Sequence, residues 1–356
     1  MDGTAVVLCD GFFSTINGKT AHGLVRGSDR YRIVGVIDAP TAGRDAGEVL
    51  DGRRRGIPVF ESLSEALEKL EKKPDYAIVG VATSGGVFTP GLERALLEAI
   101  ESGLSIVNGL HHLAADQPAL AGAARDRGVE IVDVRRPRKP GELHFWTGEV
   151  LKVRAPRIAV LGTDCALGKR TTTRLLVEAC RRAGIRADWI STGQTGWLQG
   201  APFGFVLDAT PNDFVSGELE HAVVSLARER NPDAIFLEGQ SALRNPSGPC
   251  GSELLLSTGA RAAILQHGPG RVFFDGLEEQ HCRIPPLEEE IALIRTYGAE
   301  TLGLALNGER LDTEALRSER ARLERELSRP VALPLEEGVE RLVPPIRDYL
   351  SREGAR

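Results

Sequence analysis

The chain is predicted to be an α/β protein made of two consecutive parallel-sheet domains, and three observations carry that reading. Short apolar runs alternate with amphipathic stretches of helical length along the whole chain. A non-periodic segment rich in Pro, Gly and charge interrupts the series at Arg135 to Gly148 (RRPRKPGELHFWTG). The alternation then restarts with a buried strand that runs straight into a glycine-flanked loop and a helix.

In the first half, Ala5–Cys9 and Arg32–Ile37 read as strands, followed by a short one near Ile57–Phe60. Ser62–Lys72 places Leu63, Ala66, Leu67 and Leu70 on one helical face. Tyr76–Val81, Leu104–Val107 and Glu130–Val134 read as strands, and Gly91–Ser102 and Pro118–Arg127 as helices. Asp38 closes the second strand, where a dinucleotide-binding fold carries its ribose-binding acid. The first turn, Asp10-Gly11-Phe12-Phe13-Ser14, lacks Gly-x-Gly-x-x-Gly, so bound NAD is not expected. This half is Rossmann-like.

In the second half, strands are expected at Arg157–Leu161, Trp189–Ser191, Ala234–Leu237, Ala262–Gln266 and Leu302–Leu306. Helices are expected at Lys169–Ala183, Ser216–Arg228, Leu287–Tyr297 and Asp312–Ser328. The domains are expected at residues 1–140 and 156–356, joined by a linker over 141–155. A length of 356 residues suits two domains of roughly 150 residues each.

Composition bounds the function. The hydrophobic fraction of 42% is that of a globular protein, and the net charge of −6, with both signs interspersed, gives no nucleic-acid footprint. No apolar run approaches the roughly 20 residues that span a bilayer, and the N-terminus has no basic leader. A cytoplasmic protein with no membrane and no nucleic-acid partner is expected. The five cysteines form no C-x-x-C and argue against a disulfide or zinc framework. A homo-oligomer is expected from the sheet architecture alone.

The chemistry centres on Gly162-Thr163-Asp164-Cys165-Ala166-Leu167-Gly168-Lys169-Arg170-Thr171-Thr172. Glycines let backbone N–H groups curve around a phosphate, and the helix that Lys169 opens adds its positive end. Lys169 reaches phosphate oxygens, and a hydroxyl supplies a magnesium ligand. The pattern departs from Gly-x4-Gly-Lys-Ser/Thr: five residues separate the glycines, and Arg170 follows the lysine. The spacing resembles the dethiobiotin-synthetase type of P-loop, and the arginine leaves the hydroxyl ligand open between Thr171 and Thr172.

Glu238 ends a buried strand, where P-loop folds hold magnesium, and Asp213 is a second candidate metal ligand. Thr192-Gly193-Gln194-Thr195-Gly196 is a polar small-residue loop at the carboxyl edge of the sheet, suited to a substrate carboxylate or phosphate. Gln240, Ser241 and Arg244 follow Glu238 and join it as substrate-binding candidates. Asn307 is placed to hydrogen-bond an adenine. His267 is a candidate general base and Arg271 a candidate anion clamp. On the residues alone, two readings are open: an ATP- and magnesium-dependent ligase or kinase that activates a substrate carboxylate or phosphorylates a small molecule, or a non-catalytic nucleotide-binding regulator.

Several segments together resemble one bacterial and archaeal family: Lys19-Thr20-Ala21-His22-Gly23-Leu24, Asp45-Ala46-Gly47-Glu48, Gly162-Thr163-Asp164-Cys165-Ala166, Thr192-Gly193-Gln194-Thr195-Gly196, Glu238-Gly239-Gln240-Ser241 and Ile284-Pro285-Pro286-Leu287. That family long carried only a domain-of-unknown-function label. The resemblance implies a Rossmann-like domain followed by a P-loop domain. Its described members are D-glutamate N-acetyltransferases that use acetyl-CoA and work beside an enolase-superfamily-like partner. It therefore adds a third reading, N-acetylation of D-glutamate or a similar amino acid, with the P-loop holding the phosphates of acetyl-CoA instead of ATP. Arg271 or Arg244 would then pair with the substrate carboxylate, and His267 or Glu238 would take the proton of the amine.

Overall fold

A computed structural model describes residues 2–354, which divide into two compact units. The first holds residues up to 138 together with 194–201; the second holds 139–193 and 202 onward. Both are parallel-sheet α/β units, an N-terminal Rossmann-like domain and a C-terminal P-loop domain. Among the described residues every strand pairing in the two six-stranded sheets is parallel.

The first unit contains β1 (Gly3–Leu8), α1 (Lys19–Arg26), β2 (Tyr31–Ile37), α2 (Ala46–Asp51), β3 (Val59–Phe60), α3 (Leu63–Lys69), β4 (Tyr76–Val79), α4 (Pro90–Glu101), β5 (Ser105–Asn108), α5 (Pro118–Arg127) and β6 (Ile131–Asp133). The strand order β3-β2-β1-β4-β5-β6 is that of a Rossmann sheet. Local signals set the helix ends. The Ser62 hydroxyl accepts from Glu65 N and the Thr89 hydroxyl from Leu92 N, Pro90 and Pro118 open α4 and α5, and Gly128 closes α5 at a φ of 66°. Asp38 is buried and accepts from Phe13 N (3.2 Å) and the Thr41 hydroxyl (2.6 Å), so the acid at the ribose position is committed to its own turn.

The second unit runs β7 (Arg157–Gly162), α6 (Lys169–Arg182), β8 (Ala187–Ile190), then, after the chain's excursion into the first unit as α7 (Gln194–Leu198), α8 (Asn212–Arg230), β9 (Ala234–Glu238), α9 (Ser252–Leu256), β10 (Ala262–His267), α10 (Leu287–Thr296), β11 (Glu300–Leu306), α11 (Thr313–Leu327), β12 (Val331–Ala332) and α12 (Val343–Gly354). Its order is β12-β11-β10-β7-β9-β8, so the P-loop strand β7 sits between β10 and β9. The central strands are buried on both faces, which is why they read as continuous apolar runs. Phe236, fully buried on β9, is one of the largest core side chains, and its truncation to Ala would cost about 3–5 kcal/mol.

Residues 141–155, expected as a linker, are bound to the second unit. Buried carboxylates on α8 accept from their backbone: Glu218 from His144 N (2.8 Å), and Glu220 from Thr147 N (2.6 Å) and Val150 N (3.1 Å). The Trp146 indole donates to Ser257 O (2.9 Å). Among the described residues no helix is long and apolar enough to cross a membrane.

Candidate functional site

The loop between β7 and α6 is built as an anion cradle. Gly168, at a φ of 95°, precedes α6 and has no side chain to cap it, so among the described residues the helix start has no N-cap side-chain bond. Lys169 is buried, and its ammonium donates to Asp164 O (2.6 Å) and Ser241 O (2.7 Å). Burial pushes the Lys169 pKa below the ordinary lysine value. The stem of the lysine passes between two glycines. A Cβ on Gly162 would lie 2.9 Å from Lys169 Cδ, and one on Gly239 would lie 2.2 Å from Val160 O and 3.1 Å from Lys169 Cδ. Both positions therefore need glycine for close approach.

Beneath the loop lies a closed polar network. Asp164 is fully buried; it accepts from Cys165 N (2.7 Å) and Asn245 Nδ2 (3.2 Å) through one oxygen, and from Arg271 Nη1 (2.9 Å) and Asp275 N (2.9 Å) through the other. Arg271 also donates to Cys165 O (2.8 Å) and twice to Glu309. Burial works against the Arg271 charge, but its bonds to Glu309 and Asp164 outweigh that and raise its pKa. Arg271, expected as a substrate-anion clamp, stands here with its side chain 1% exposed and its hydrogen bonds directed to Asp164, Cys165 O and Glu309.

Other candidates are committed in the same way. Asn307 donates to Leu167 O (3.0 Å) and accepts from Glu309 N (2.8 Å), bracing the loop rather than presenting its amide to a base. Arg244, expected at a substrate carboxylate, is held by Glu290 (2.8 Å) and Glu289 (2.7 Å). The Thr172 hydroxyl donates to Gln266 Oε1 (2.6 Å), whereas half-buried Thr171 makes no such side-chain bond among the described residues. The Cys165 thiol donates to the Ser241 hydroxyl (3.3 Å).

Glu238 ends β9 beside the P-loop strand. Its Oε2 accepts from Thr192 N (3.0 Å), its carbonyl accepts from the Thr192 hydroxyl (2.7 Å), and that hydroxyl accepts from Gln240 Nε2 (2.9 Å). A Cβ on Gly193 would lie 3.0 Å from Gln240 Nε2 and 3.6 Å from Glu238 Oε1. Burial raises the Glu238 pKa to about 7, against the pull of Arg170, Lys169 and the Thr192 and Gly193 amides. Glu238, Gln240, Thr192 and Gly193 thus form one cluster with Lys169 and Arg170 close enough to act on it electrostatically.

Three expected groupings are not formed. Asp213 stands exposed on the first turn of α8, and among the described residues no three His, Cys, Asp or Glu side chains group into a metal centre. Gln194, Thr195 and Gly196 open α7, which belongs to the first unit, where the Thr195 hydroxyl lies 3.4 Å from that of Thr20. His267 bonds through Nδ1 to the Thr163 hydroxyl (3.0 Å), and burial lowers its pKa to about 4, which leaves a neutral ring and a weak base. Asn245, Glu309 and Asp275 were not among the sequence-level candidates. Only the Arg-Asn-Pro turn after Ser241 marks any of them in sequence, and no local pattern links them to Asp164.

Comparison with known proteins places these features in context. Residues 144–343 match the model described as "Domain of unknown function (DUF1611_C) P-loop domain", and residues 39–137 match the "Domain of unknown function (DUF1611_N) Rossmann-like domain". A D-glutamate N-acetyltransferase of Tritonibacter scottomollicae is 31% identical over 278 residues, 75% of this chain and 79% of that protein. One from a Pseudoalteromonas species is 30% identical over 274 residues, with the same coverage. The crystal structure of a DUF1611-family protein from Anabaena variabilis superposes with a TM-score of 0.87 at 30% identity, covering 97% of this chain and 99% of that one.

Proposed function

The chain belongs to the DUF1611 family, and from that premise we propose that it is an amino-acid N-acyltransferase that holds the phosphates of acetyl-CoA at its P-loop and acetylates D-glutamate or a similar amino acid. One observation carries the choice of coenzyme A over magnesium-bound ATP. Arg170 stands directly after the P-loop lysine, where the common pattern has the hydroxyl that binds magnesium, and its charge acts on Glu238. The cradle thus meets an anion with two protein cations, Lys169 and Arg170, and with the uncapped amides of α6. That donor set fits a diphosphate that arrives without a metal.

Acetyl-CoA, when bound, supplies an activated acyl group. Lys169 exchanges its bonds to two backbone carbonyls for phosphate oxygens, at little electrostatic cost because it is already desolvated. Glu238, poised near neutrality, would take one proton of the substrate ammonium; the freed amine would attack the acyl carbon, and as the carbon–sulfur bond breaks CoA would leave as its thiol with the amine's second proton. Gln240 and Thr192 orient the amine through the hydrogen-bonded chain that ends on Glu238. The two relatives named D-glutamate N-acetyltransferase support the acceptor class.

The test is thermal unfolding of wild type, Lys169→Ala and Arg170→Thr with acetyl-CoA, CoA and ATP, each with and without magnesium, alongside a CoA-release assay with D-glutamate. Acetyl-CoA at about 100 times its Kd stabilises by roughly 2.7 kcal/mol, so a clear rise in Tm without magnesium is expected, lost in both variants. Stabilisation by ATP and magnesium alone, with no CoA release, rejects the proposal.

A further inference from the structure

His267 ends β10 and meets the P-loop through its bond to Thr163 (3.0 Å). It also lines a cleft of about 310 Å³, walled by the apolar side chains of Val272, Ile284, Pro285, Leu287 and Leu323. A short ladder fixes the backbone on one side of this cleft: Ile284 N donates to Val272 O (3.0 Å), Phe274 N donates to Cys282 O (2.9 Å), and Phe273 bridges Arg283. Val272 stands 49% exposed on that wall.

The charges around the cleft are unequal. Arg271 is neutralised by Asp164 and Glu309, and Arg322 by Glu319 and Glu326. Glu288 adds a carboxylate. Arg283 lies 5.4 Å over the face of Phe273 and forms no ion pair among the described residues, so it is the cation still available to an anion. Apolar walls beside an unspent arginine suit a flat heteroaromatic group that carries a phosphate.

Sheet order supplies the direction. The P-loop strand lies between β9, which carries Glu238 and leads into Gln240, and β10, which carries His267. A coenzyme anchored at the P-loop by its diphosphate extends one arm to each side. The polar β9 side suits the reacting end, and the apolar β10 side suits the base. We infer that the cleft beside His267 receives the adenosine end of coenzyme A, with Arg283 on its 3′-phosphate; this rests on the acyltransferase reading above.

Calorimetric titration of the full chain with CoA and with 3′-dephospho-CoA tests it, on wild type, Arg283→Ala, Arg283→Lys and Val272→Asp. Val272 and Arg283 are both open to solvent, so these variants keep the core intact. Wild type should favour CoA over the dephospho form by about tenfold, as a charge-assisted contact provides. Arg283→Ala should erase that preference, Arg283→Lys should restore part of it, and Val272→Asp should weaken both ligands. Equal binding of the two ligands by wild type, or a preference that survives in Arg283→Ala, overturns the inference while leaving CoA binding, and so the acyltransferase reading, in place. Absence of both CoA and acetyl-CoA binding in wild type removes that reading and the inference with it.

Discussion

Replacing Arg271 with methionine separates a strut from a substrate clamp. The guanidinium is 1% exposed and faces Asp164, which is fully buried. Methionine keeps much of the volume but leaves the Asp164 carboxylate to Cys165 N, Asn245 and Asp275 N alone. Removing one partner of a buried pair costs about 3–5 kcal/mol, and the three remaining donors place the loss near the low end of that range. For a unit of this size each kcal/mol moves Tm by roughly 2–4 °C, so a fall of roughly 6–12 °C is expected. The assay is differential scanning calorimetry of wild type, Arg271→Met, Asp164→Asn and the double variant. The double variant should recover part of the loss, because the stranded charge is gone. A Tm within about 2 °C of wild type, combined with a collapse of kcat/KM for the amino acid, would refute the reasoning and return Arg271 to the substrate.

Three pH dependences follow from the burial of Glu238 and His267. With the Glu238 pKa near 7, the rate at saturating substrates should climb as pH rises through about 7 and Glu238 loses its proton, whereas Glu238→Gln should be slow and flat. The same shift lies above the ordinary value of 4.5, so the stability the protonated carboxyl contributes disappears as pH rises toward 7; urea unfolding above pH 7 should show Glu238→Gln at least as stable as wild type. His267 shifts the other way, from 6.5 to about 4, so the unfolded chain takes up its proton first and stability falls as pH drops through that window. Urea midpoints at pH 7, 5.5 and 4.5 should show a shallower decline for His267→Gln; an unchanged decline would mean that His267 titrates normally in the fold.

The parallel strands were legible because burial on both faces writes continuous apolar runs, as at Ile158–Leu161 and Ile235–Leu237. The phosphate loop was legible because its glycines and Lys169 are contiguous. What escaped was short or long-range. Helix α1 has eight residues, a glycine inside and no side-chain N-cap, so Lys19–Arg26 gives no start signal. Gln194–Leu198, five residues with a glycine inside, reads as a loop. The fates of Arg271, Asn307 and Arg244 depended on partners such as Asp164, Leu167 and Glu290, 46 to 140 positions away, which no local spacing encodes. A charged residue at a strand end looks the same in sequence whether it faces a ligand or holds up the loop that does.

The excursion of residues 194–201 bears on how the polypeptide can be divided. The chain passes between the units after residues 138, 193 and 201, so no single cut yields two complete halves. A fragment ending at 138 would lack Leu198, which is fully buried in the first unit's core, and Gln199, which caps the carbonyls of Gly23 and Gly27 (2.7 and 2.8 Å). A fragment starting at 139 would carry Trp197 and Leu198 on α7 without the first unit's core to bury them, an apolar helix prone to association. The two halves are therefore heritable only together: recombination at the obvious Pro- and Gly-rich junction would transplant a phosphate cradle while tearing a plug out of its neighbour's interior.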